Sequence, residues 1–222
     1  MIKTVMVGKG RGLTEYIYDD AGRVSLTKEP RGAKTTYSYS PGLVVMQGTD
    51  SAGKIFKTDT LYLNDNGKVA TSVNHHRSGS FMATFLYDDS GFVKQIVNYE
   101  VGSSRGDTLV FTIANGNVLT SQNPGSADRA KDDAEHAGFK TIYYDYYMDK
   151  INTTGIENKG EPFFGRSSRN LIKSAVTVGS NGDTLSIVSF QYEYDPKGRA
   201  QSVIRIDRSG MKGDPILYTY YQ

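Results

Sequence analysis

The 222-residue chain contains no cysteine and no tryptophan. The absence of cysteine excludes disulfide bonds, thiolate metal sites, iron–sulfur clusters and thiol nucleophiles. Proline is also rare, with 6 residues, whereas there are 24 glycines and 16 tyrosines. Many glycines and tyrosines with few prolines are typical of β-strands joined by tight turns.

The chain also lacks an excess of one charge and any long apolar run. Lys and Arg total 26 against 24 Asp and Glu, so the net charge is +2. This balance gives no strong attraction to nucleic acid, and no nucleic-acid partner is expected. No stretch approaches the roughly 18 apolar residues of a transmembrane helix, and the apolar run in residues 1–8 is too short for a signal peptide. Two locations stay open: the cytoplasm, or export with a signal that this sequence does not contain.

A short unit recurs four times along the chain. The unit begins with an aromatic residue (Leu in the second copy), any residue, and then Tyr or Leu. An Asp or Asn follows, then two variable residues, a Gly, a long residue and an apolar residue. Its copies are Tyr16–Val24, Leu61–Val69, Phe85–Val93 and Tyr192–Ala200. The Asp or Asn starts a turn by accepting a hydrogen bond from a downstream backbone N–H, and the Gly supplies the positive φ that closes the loop. Each copy therefore predicts a β-hairpin rather than a cation-binding loop.

Turn signals recur about every 10 to 15 residues, which predicts an antiparallel meander with each strand beside its predecessor. We expect an all-β fold of about 15 strands in one domain over residues 1–222, curled into an open or partial barrel. Charge at Lys57 and Asp59, in phase with Ile55 and Leu61, argues against a lipid-facing wall. The predicted strands cover residues 14–18, 23–28, 33–39, 43–48, 54–63, 68–75, 80–87, 92–100, 107–113, 117–121, 139–147, 171–178, 184–194, 199–206 and 215–221.

Residues 122–165 interrupt this rhythm. One short helix is expected near residues 127–137, with Ser126 as its N-cap and Gly138 at its end. The whole stretch is polar at first and then aromatic. We expect it to form an irregular excursion from the sheet, or to mark the place where the meander is crossed.

The repeated unit is similar to the YD repeat of rearrangement-hotspot (RHS) proteins, which build long curling β-sheets from it. In length, spacing and composition the chain more closely resembles a family of secreted Bacteroidetes lipoproteins of unknown function with a porin-like fold. The resemblance covers Tyr16–Gly116 and Phe190–Tyr221. It implies an exported protein with a curved antiparallel sheet and a lipid anchor at a cysteine that is not in this sequence. It supplies no catalytic residues.

An aromatic cluster is the most suggestive candidate for ligand binding. Its members are Tyr143, Tyr144, Tyr146, Tyr147, Phe163 and Phe164. On a regular strand, Tyr144 and Tyr146 face one side of the sheet and Tyr143 and Tyr147 face the other. A tyrosine offers an apolar ring and a hydroxyl, which suits stacking on sugars or peptides. The alternative is that these rings pack within a curved sheet.

No metal site or cofactor is expected. His75 and His76 are neighbours, so on a strand they point to opposite faces and cannot share one metal ion. His136 lies in the polar segment. The acidic pairs at residues 19–20 and 88–89 lack the alternating acids and distant Glu of a calcium loop.

Three hypotheses for function stay open. In the first, the protein is an exported, non-enzymatic β-protein that binds a glycan, a peptide or an envelope protein. In the second, it is a structural or scaffolding repeat module. In the third, it is a hydrolase whose two carboxylates meet across strands in a barrel-like groove.

Overall fold

The computed structural model describes residues 1–8, 12–76, 79–102, 106–123 and 140–221. These residues form sixteen β-strands and three short 3₁₀ turns, and no α-helix occurs among them. The 3₁₀ turns are Pro30–Gly32, Ile156–Lys159 and Pro162–Phe164. In chain order the strands are Ile2–Val7 (β1), Gly12–Tyr18 (β2), Val24–Lys28 (β3), Lys34–Ser40 (β4), Leu43–Thr49 (β5), Ile55–Leu63 (β6), Val69–His76 (β7), Gly79–Tyr87 (β8), Val93–Glu100 (β9), Gly106–Ala114 (β10), Asn117–Asn123 (β11), Lys140–Ile151 (β12), Asn170–Val178 (β13), Thr184–Tyr194 (β14), Ala200–Asp207 (β15) and Ile216–Tyr220 (β16).

The sheet is a closed antiparallel barrel. Each strand pairs with the strands before and after it in sequence, and β1 pairs with β16. The predicted all-β meander is confirmed, but the expected open or partial barrel was wrong. Strand β1 was absent from the predicted set, and it is the strand that joins β2 to β16. Closure satisfies the N–H and C=O groups that the two free edges of an open meander would leave unpaired.

The repeated unit forms the predicted hairpin turns. In the first copy, the Oδ1 of Asp19 accepts hydrogen bonds from the backbone N–H groups of Ala21 (3.1 Å) and Arg23 (2.8 Å). Gly22 has a φ of 75° and donates its N–H to the Asp19 carbonyl at 2.9 Å. The same side-chain pattern begins at Asn64, Asp88 and Asp195. Each loop adds one residue to the returning strand, which shifts the register as a β-bulge does.

All four turns lie at the same end of the barrel. In an up-and-down meander every second connection returns to the same rim, and the four units connect β2 to β3, β6 to β7, β8 to β9 and β14 to β15. The longest connection at this rim joins β12 to β13 and comprises residues 152–169, which we call the plug loop. Phe163 of the plug loop is 5% exposed and packs in one cluster with Val44, Leu61 and Val69. The loop therefore enters the barrel at the end that carries the repeats.

Hydrogen bonds fasten the plug loop around the rim. Its backbone and side chains meet strands or turns on both sides of the barrel. The bonds run from Val24 N to Gly160 O (3.3 Å), Lys68 Nζ to Pro162 O (2.8 Å), Arg166 N to Gly91 O (3.0 Å), Arg169 N to Gly116 O (2.8 Å) and Ala200 N to Thr153 Oγ1 (2.9 Å). The repeats therefore shape the rim and also present the groups that hold the plug loop.

Side chains alternate between the lumen and the outer face, as in any barrel. Asp59 is 6% exposed and pairs in register with Met46, next to the buried Leu61. Lys57 and Asp59 form an ion pair at 3.5 Å on this inner face. Lys57 and Asp59 therefore lie on the inner face of the wall, in phase with the buried Leu61. Among the described residues, no helix has the length and apolar character needed to cross a membrane.

In its described part, the irregular stretch predicted at 122–165 contains a complete strand of the barrel. Strand β12 spans residues 140–151 within it and pairs with β11 and β13 in the barrel wall. The helix expected near residues 127–137, together with Ser126, His136 and Gly138, lies outside the described residues.

Candidate functional site

The structure divides the six predicted aromatic residues among separate places. Tyr144 and Tyr146 both bond to β11: the Tyr144 hydroxyl lies 3.1 Å from Ser121 Oγ, and the Tyr146 hydroxyl donates to the Val118 carbonyl at 2.6 Å. Tyr146 is only 6% exposed, and burial raises the pKa of its hydroxyl. These two rings therefore join neighbouring strands.

Phe163 and Phe164 lie in the plug loop and pack towards β4–β8. Phe163 makes an edge contact with the ring of Tyr39, at 6.3 Å between centroids. Phe164 lines a lumenal cavity of about 300 Å³, in which Asp59 and Asn74 are polar neighbours. The two phenylalanines therefore share a cluster with each other but not with the tyrosines of β12.

Tyr143 and Tyr147 have different surroundings. Tyr143 is 50% exposed on the wall. Tyr147 reaches β14, where its hydroxyl donates to the Phe190 carbonyl at 3.1 Å and its ring meets Tyr192 edge-on at 6.1 Å. Of the four predicted tyrosines on β12, Tyr147 is the one that lines a groove.

This groove lies where β13 and β14 separate. The ladder between these strands runs from Val178↔Thr184 to Ser174↔Ser189 and ends there. Beyond it, two tyrosine hydroxyls make the connections to backbone carbonyls: Tyr147 to Phe190, and Tyr192 to Ile172 at 3.0 Å. Rings anchored by their own hydroxyls are held in one orientation, which favours binding because little freedom is lost when a ligand arrives.

We call this feature the seam groove. Its volume is about 460 Å³, within the range of small-ligand sites. Its lining combines three tyrosine rings with charged and amide side chains: Tyr147, Lys150, Gln191, Tyr192, Glu193, Tyr194, Ser202, Ile204 and Lys212.

The charged groups of the seam groove are placed by short contacts. Tyr192 and Tyr194 stack with centroids 6.5 Å apart, and the Lys150 ammonium lies 5.4 Å from the Tyr194 ring centre. Glu193 accepts a 2.9 Å hydrogen bond from the Ser202 hydroxyl. Burial raises the pKa values of Tyr192 and Tyr194, so both hydroxyls stay protonated at neutral pH. The groove thus offers aromatic faces beside a carboxylate, two ammonium groups and an amide.

The seam groove includes four residues that were not predicted as site residues from the sequence: Lys150, Tyr192, Glu193 and Tyr194. Tyr192–Tyr194 had been recognised only as the start of the fourth repeat. Its signal as a site is that the two tyrosines flank Glu193, and no other copy carries an acid between its aromatic positions. Their meeting with Tyr147 depends on strand pairing across β13, which the local sequence does not encode.

Metal ligation finds no support in the described part of the chain. No group of three or more His, Asp or Glu side chains converges there. His75 Nδ1 lies 2.7 Å from Ser80 Oγ, whereas His76 Nε2 lies 3.9 Å from the lumenal Asp59. The two histidines therefore have separate environments.

Comparisons with known proteins identify the fold. No protein-family model matches the chain, and no curated protein matches it. A porin-like protein from Bacteroides uniformis superposes with a TM-score of 0.66 over 99% of this chain and 96% of its own, at 16% identity. A porin-like protein from Bacteroides vulgatus superposes with a TM-score of 0.67 over 99% and 98%, at 12% identity. The chain therefore has the fold of these porin-like Bacteroides proteins, as the resemblance implied.

Proposed function

We propose that this protein is an exported, non-enzymatic β-barrel that binds a glycan in the seam groove. The observation that carries the proposal is that three tyrosine rings, two of them anchored, line the same groove as Glu193, Gln191 and Lys150. Sugar rings present apolar C–H faces and a circle of hydroxyls. Aromatic faces match the first, and carboxylate, amide and ammonium groups match the second.

These residues suit the binding of a glycan better than its hydrolysis. Glycoside hydrolysis needs two carboxylic groups on either side of the scissile bond. Among the described residues, Glu193 supplies the carboxylate of the seam groove and Asp59 that of the lumenal cavity. The proposal therefore assigns Glu193 to hydroxyl recognition.

Export is the second part of the proposal. It is supported by the shared fold with porin-like Bacteroides proteins and by the resemblance to secreted lipoproteins. Finding the native protein in the periplasmic or outer-membrane fraction of its cell would support export. Recovery from the cytoplasmic fraction alone would contradict it.

Glycan binding is tested by a thermal-shift screen followed by calorimetric titration. The panel holds host and plant polysaccharides, peptidoglycan fragments and mixed peptides. A ligand at about 100 times its dissociation constant adds roughly 2.7 kcal/mol of stability, which raises the melting temperature by a few degrees. We expect a shift with one glycan class. A response to peptides alone would replace the glycan by a peptide.

Two matched variants locate the site. Tyr194→Ala removes a groove ring that is 36% exposed, and we expect at least about tenfold weaker glycan binding. Tyr143→Ala removes an exposed ring on β12 outside the groove and leaves affinity unchanged. If Tyr143→Ala weakens binding and Tyr194→Ala does not, the seam groove is not the site. If no class in the panel binds, the glycan proposal fails and the scaffolding hypothesis takes its place.

A further inference from the structure

A second pocket lies at the plugged end of the barrel, far from the seam groove in the strand order. Three turns and the 3₁₀ turn Pro162–Phe164 enclose about 610 Å³. We call it the rim pocket. It is lined by Arg23, Tyr39, Ser40, Pro41, Leu43, Val44, Leu63, Asn66, Gly67, Lys68, Pro162 and Phe163.

The floor of the rim pocket is the main apolar cluster of the barrel. Val44 and Phe163 are 1% and 5% exposed, and Tyr39 and Leu63 pack against them. The remaining apolar faces line open space. Covering them with an apolar group would release free energy at about 25 cal/mol for each Å² removed from water.

The rim of the pocket carries positive charge. Arg23 and Lys68 line it, together with the Asn66 amide, and no carboxylate is among its lining residues. The Arg23 guanidinium lies 4.1 Å from the Tyr39 ring centre and is ion-paired with Asp19 Oδ2 through Nε at 2.8 Å and Nη2 at 2.7 Å, so its charge is already balanced by a carboxylate. Lys68 Nζ donates to the Pro162 carbonyl at 2.8 Å, and an ammonium group has two further N–H donors. Both cations are therefore held at the mouth before any ligand binds.

We propose that the rim pocket binds a small amphiphilic anion. The apolar body, an alkyl chain or an aromatic ring system, lies on the partly exposed Leu43 and Leu63, with the buried Val44 and Phe163 beneath them. The acidic head, a carboxylate or sulfonate, pairs with the Lys68 ammonium, which donates to a neutral carbonyl, next to the Arg23 guanidinium that Asp19 holds. This ligand differs in chemistry and in place from the glycan proposed for the seam groove, so the two proposals can fail independently.

The test uses 8-anilinonaphthalene-1-sulfonate as a fluorescent probe and decanoate as a competitor. The folded protein binds the probe at one saturable site, and decanoate displaces it. Uncharged decanol at the same concentration displaces it at least about tenfold less well, because the charge-assisted contacts are lost. Equal displacement by decanol would show that the cations do not contribute, and would overturn the proposal.

Two lysines at the same position of similar turns provide a charge variant and its control. We expect Lys68→Met to weaken the binding of probe and decanoate about tenfold. Lys54 occupies the same position in the Asp50–Lys54 turn at the opposite rim, where Asp50 Oδ1 accepts from Lys54 N at 2.9 Å, as Asn64 Oδ1 accepts from Lys68 N at 3.0 Å. Lys54→Met therefore loses the same charge from the same kind of turn and leaves affinity unchanged.

A volume variant tests the place of binding. Asn66 is exposed in the β6–β7 turn and lines the rim pocket, so Asn66→Trp places an indole ring at the mouth of the pocket. Ser90 is exposed at the same position of the β8–β9 turn, where its N–H bonds to Asp88 Oδ1 as that of Asn66 bonds to Asn64 Oδ1, and it does not line the pocket. We expect Asn66→Trp to weaken probe binding at least about tenfold and Ser90→Trp to leave it unchanged, with both variants showing the circular dichroism spectrum of the wild type. Equal binding by the two folded variants would overturn the proposal.

Discussion

The hydroxyl of Tyr37 on β4 donates a 2.9 Å hydrogen bond to Oε1 of Glu161 in the plug loop, 124 residues further along the chain. Burial raises the pKa of Glu161, although the Tyr37 bond and the positive charges of Lys159 and Lys57 oppose that rise. The plug loop is therefore fastened to the wall through a carboxyl group that is costly to ionise.

The stability of the barrel should depend on pH through Glu161. A carboxyl whose folded pKa lies above its ordinary value of 4.5 binds its proton more tightly in the folded state, so its contribution favours folding at low pH and declines as pH rises through the folded pKa. Glu161→Gln keeps an acceptor for Tyr37 and carries no charge. We expect this variant to match the wild type near pH 4 and to melt at a higher temperature than the wild type at pH 8.

Tyr37→Phe is the complementary variant in that experiment. The Tyr37 hydrogen bond lowers the pKa of Glu161, so its loss raises the pKa further and steepens the decline of stability with pH. Parallel melting curves for wild type, Glu161→Gln and Tyr37→Phe from pH 4 to 8 would show that Glu161 does not carry the effect.

Gly160 is a point of close approach between the plug loop and the wall. Its φ is +77°, and a Cβ there would lie 2.7 Å from Tyr18 Cε1 and 2.9 Å from the Val24 backbone nitrogen. We expect Gly160→Ala to cost about 2–4 kcal/mol of unfolding free energy, because it combines left-handed strain with overpacking. Gly53→Ala, at φ +81° with open space around the Cβ, should cost about 1–2 kcal/mol. Urea unfolding measures both free energies. Equal losses would show that Tyr18 and Val24 shift to accommodate the added Cβ without a cost in unfolding free energy.

The first turn of the repeat separates two roles of one carboxylate. Asp19 accepts the turn N–H groups through Oδ1 and the Arg23 guanidinium through Oδ2. The Arg23 side chain lowers the pKa of this exposed carboxyl, so its contribution to stability is present at neutral pH and lost as pH falls below its usual range near 3.8. Asp19→Asn keeps the turn acceptor, as Asn64 does in the second copy, and should change the melting temperature less than Asp19→Ala. Equal losses would assign the effect to the ion pair alone.

A buried amide pair holds the base of the plug loop. Asn117 and Asn170 are 2% and 3% exposed; Asn117 Nδ2 donates to Asn170 Oδ1 at 3.1 Å, and Asn170 N donates to Asn117 Oδ1 at 3.0 Å. Asn170→Ala leaves buried partners unsatisfied and should cost roughly 2–3 kcal/mol. Asn66→Ala, at an exposed turn position, should change stability by less than about 0.5 kcal/mol. Denaturant titration compares them, and a small effect at Asn170 would mean that water replaces the lost bonds.

Local turn chemistry made most of the wall predictable from the sequence. An Asp or Asn that bonds N–H groups two and four residues later, with a Gly at positive φ, acts within five residues and needs no tertiary partner. Fifteen of the sixteen strands overlap the predicted set, which was read from turn signals along the chain. The predicted hairpins at Tyr16–Val24 and Tyr192–Ala200 were confirmed for the same reason.

Contacts between distant segments decided the rest. Closure depends on Ile2–Val7, a short apolar run that has no strand identity until it pairs with β2 on one side and β16 on the other. The aromatic residues that lie close together in the sequence separate in space. Tyr147 contacts Tyr192 across β13, whereas Phe163 packs against strands β5 to β7. The sequence by itself determined the hairpins and the all-β meander, since these follow from local hydrogen bonds. The tertiary structure decided the closed barrel, the plug loop and the seam groove, since each depends on which distant strands lie side by side.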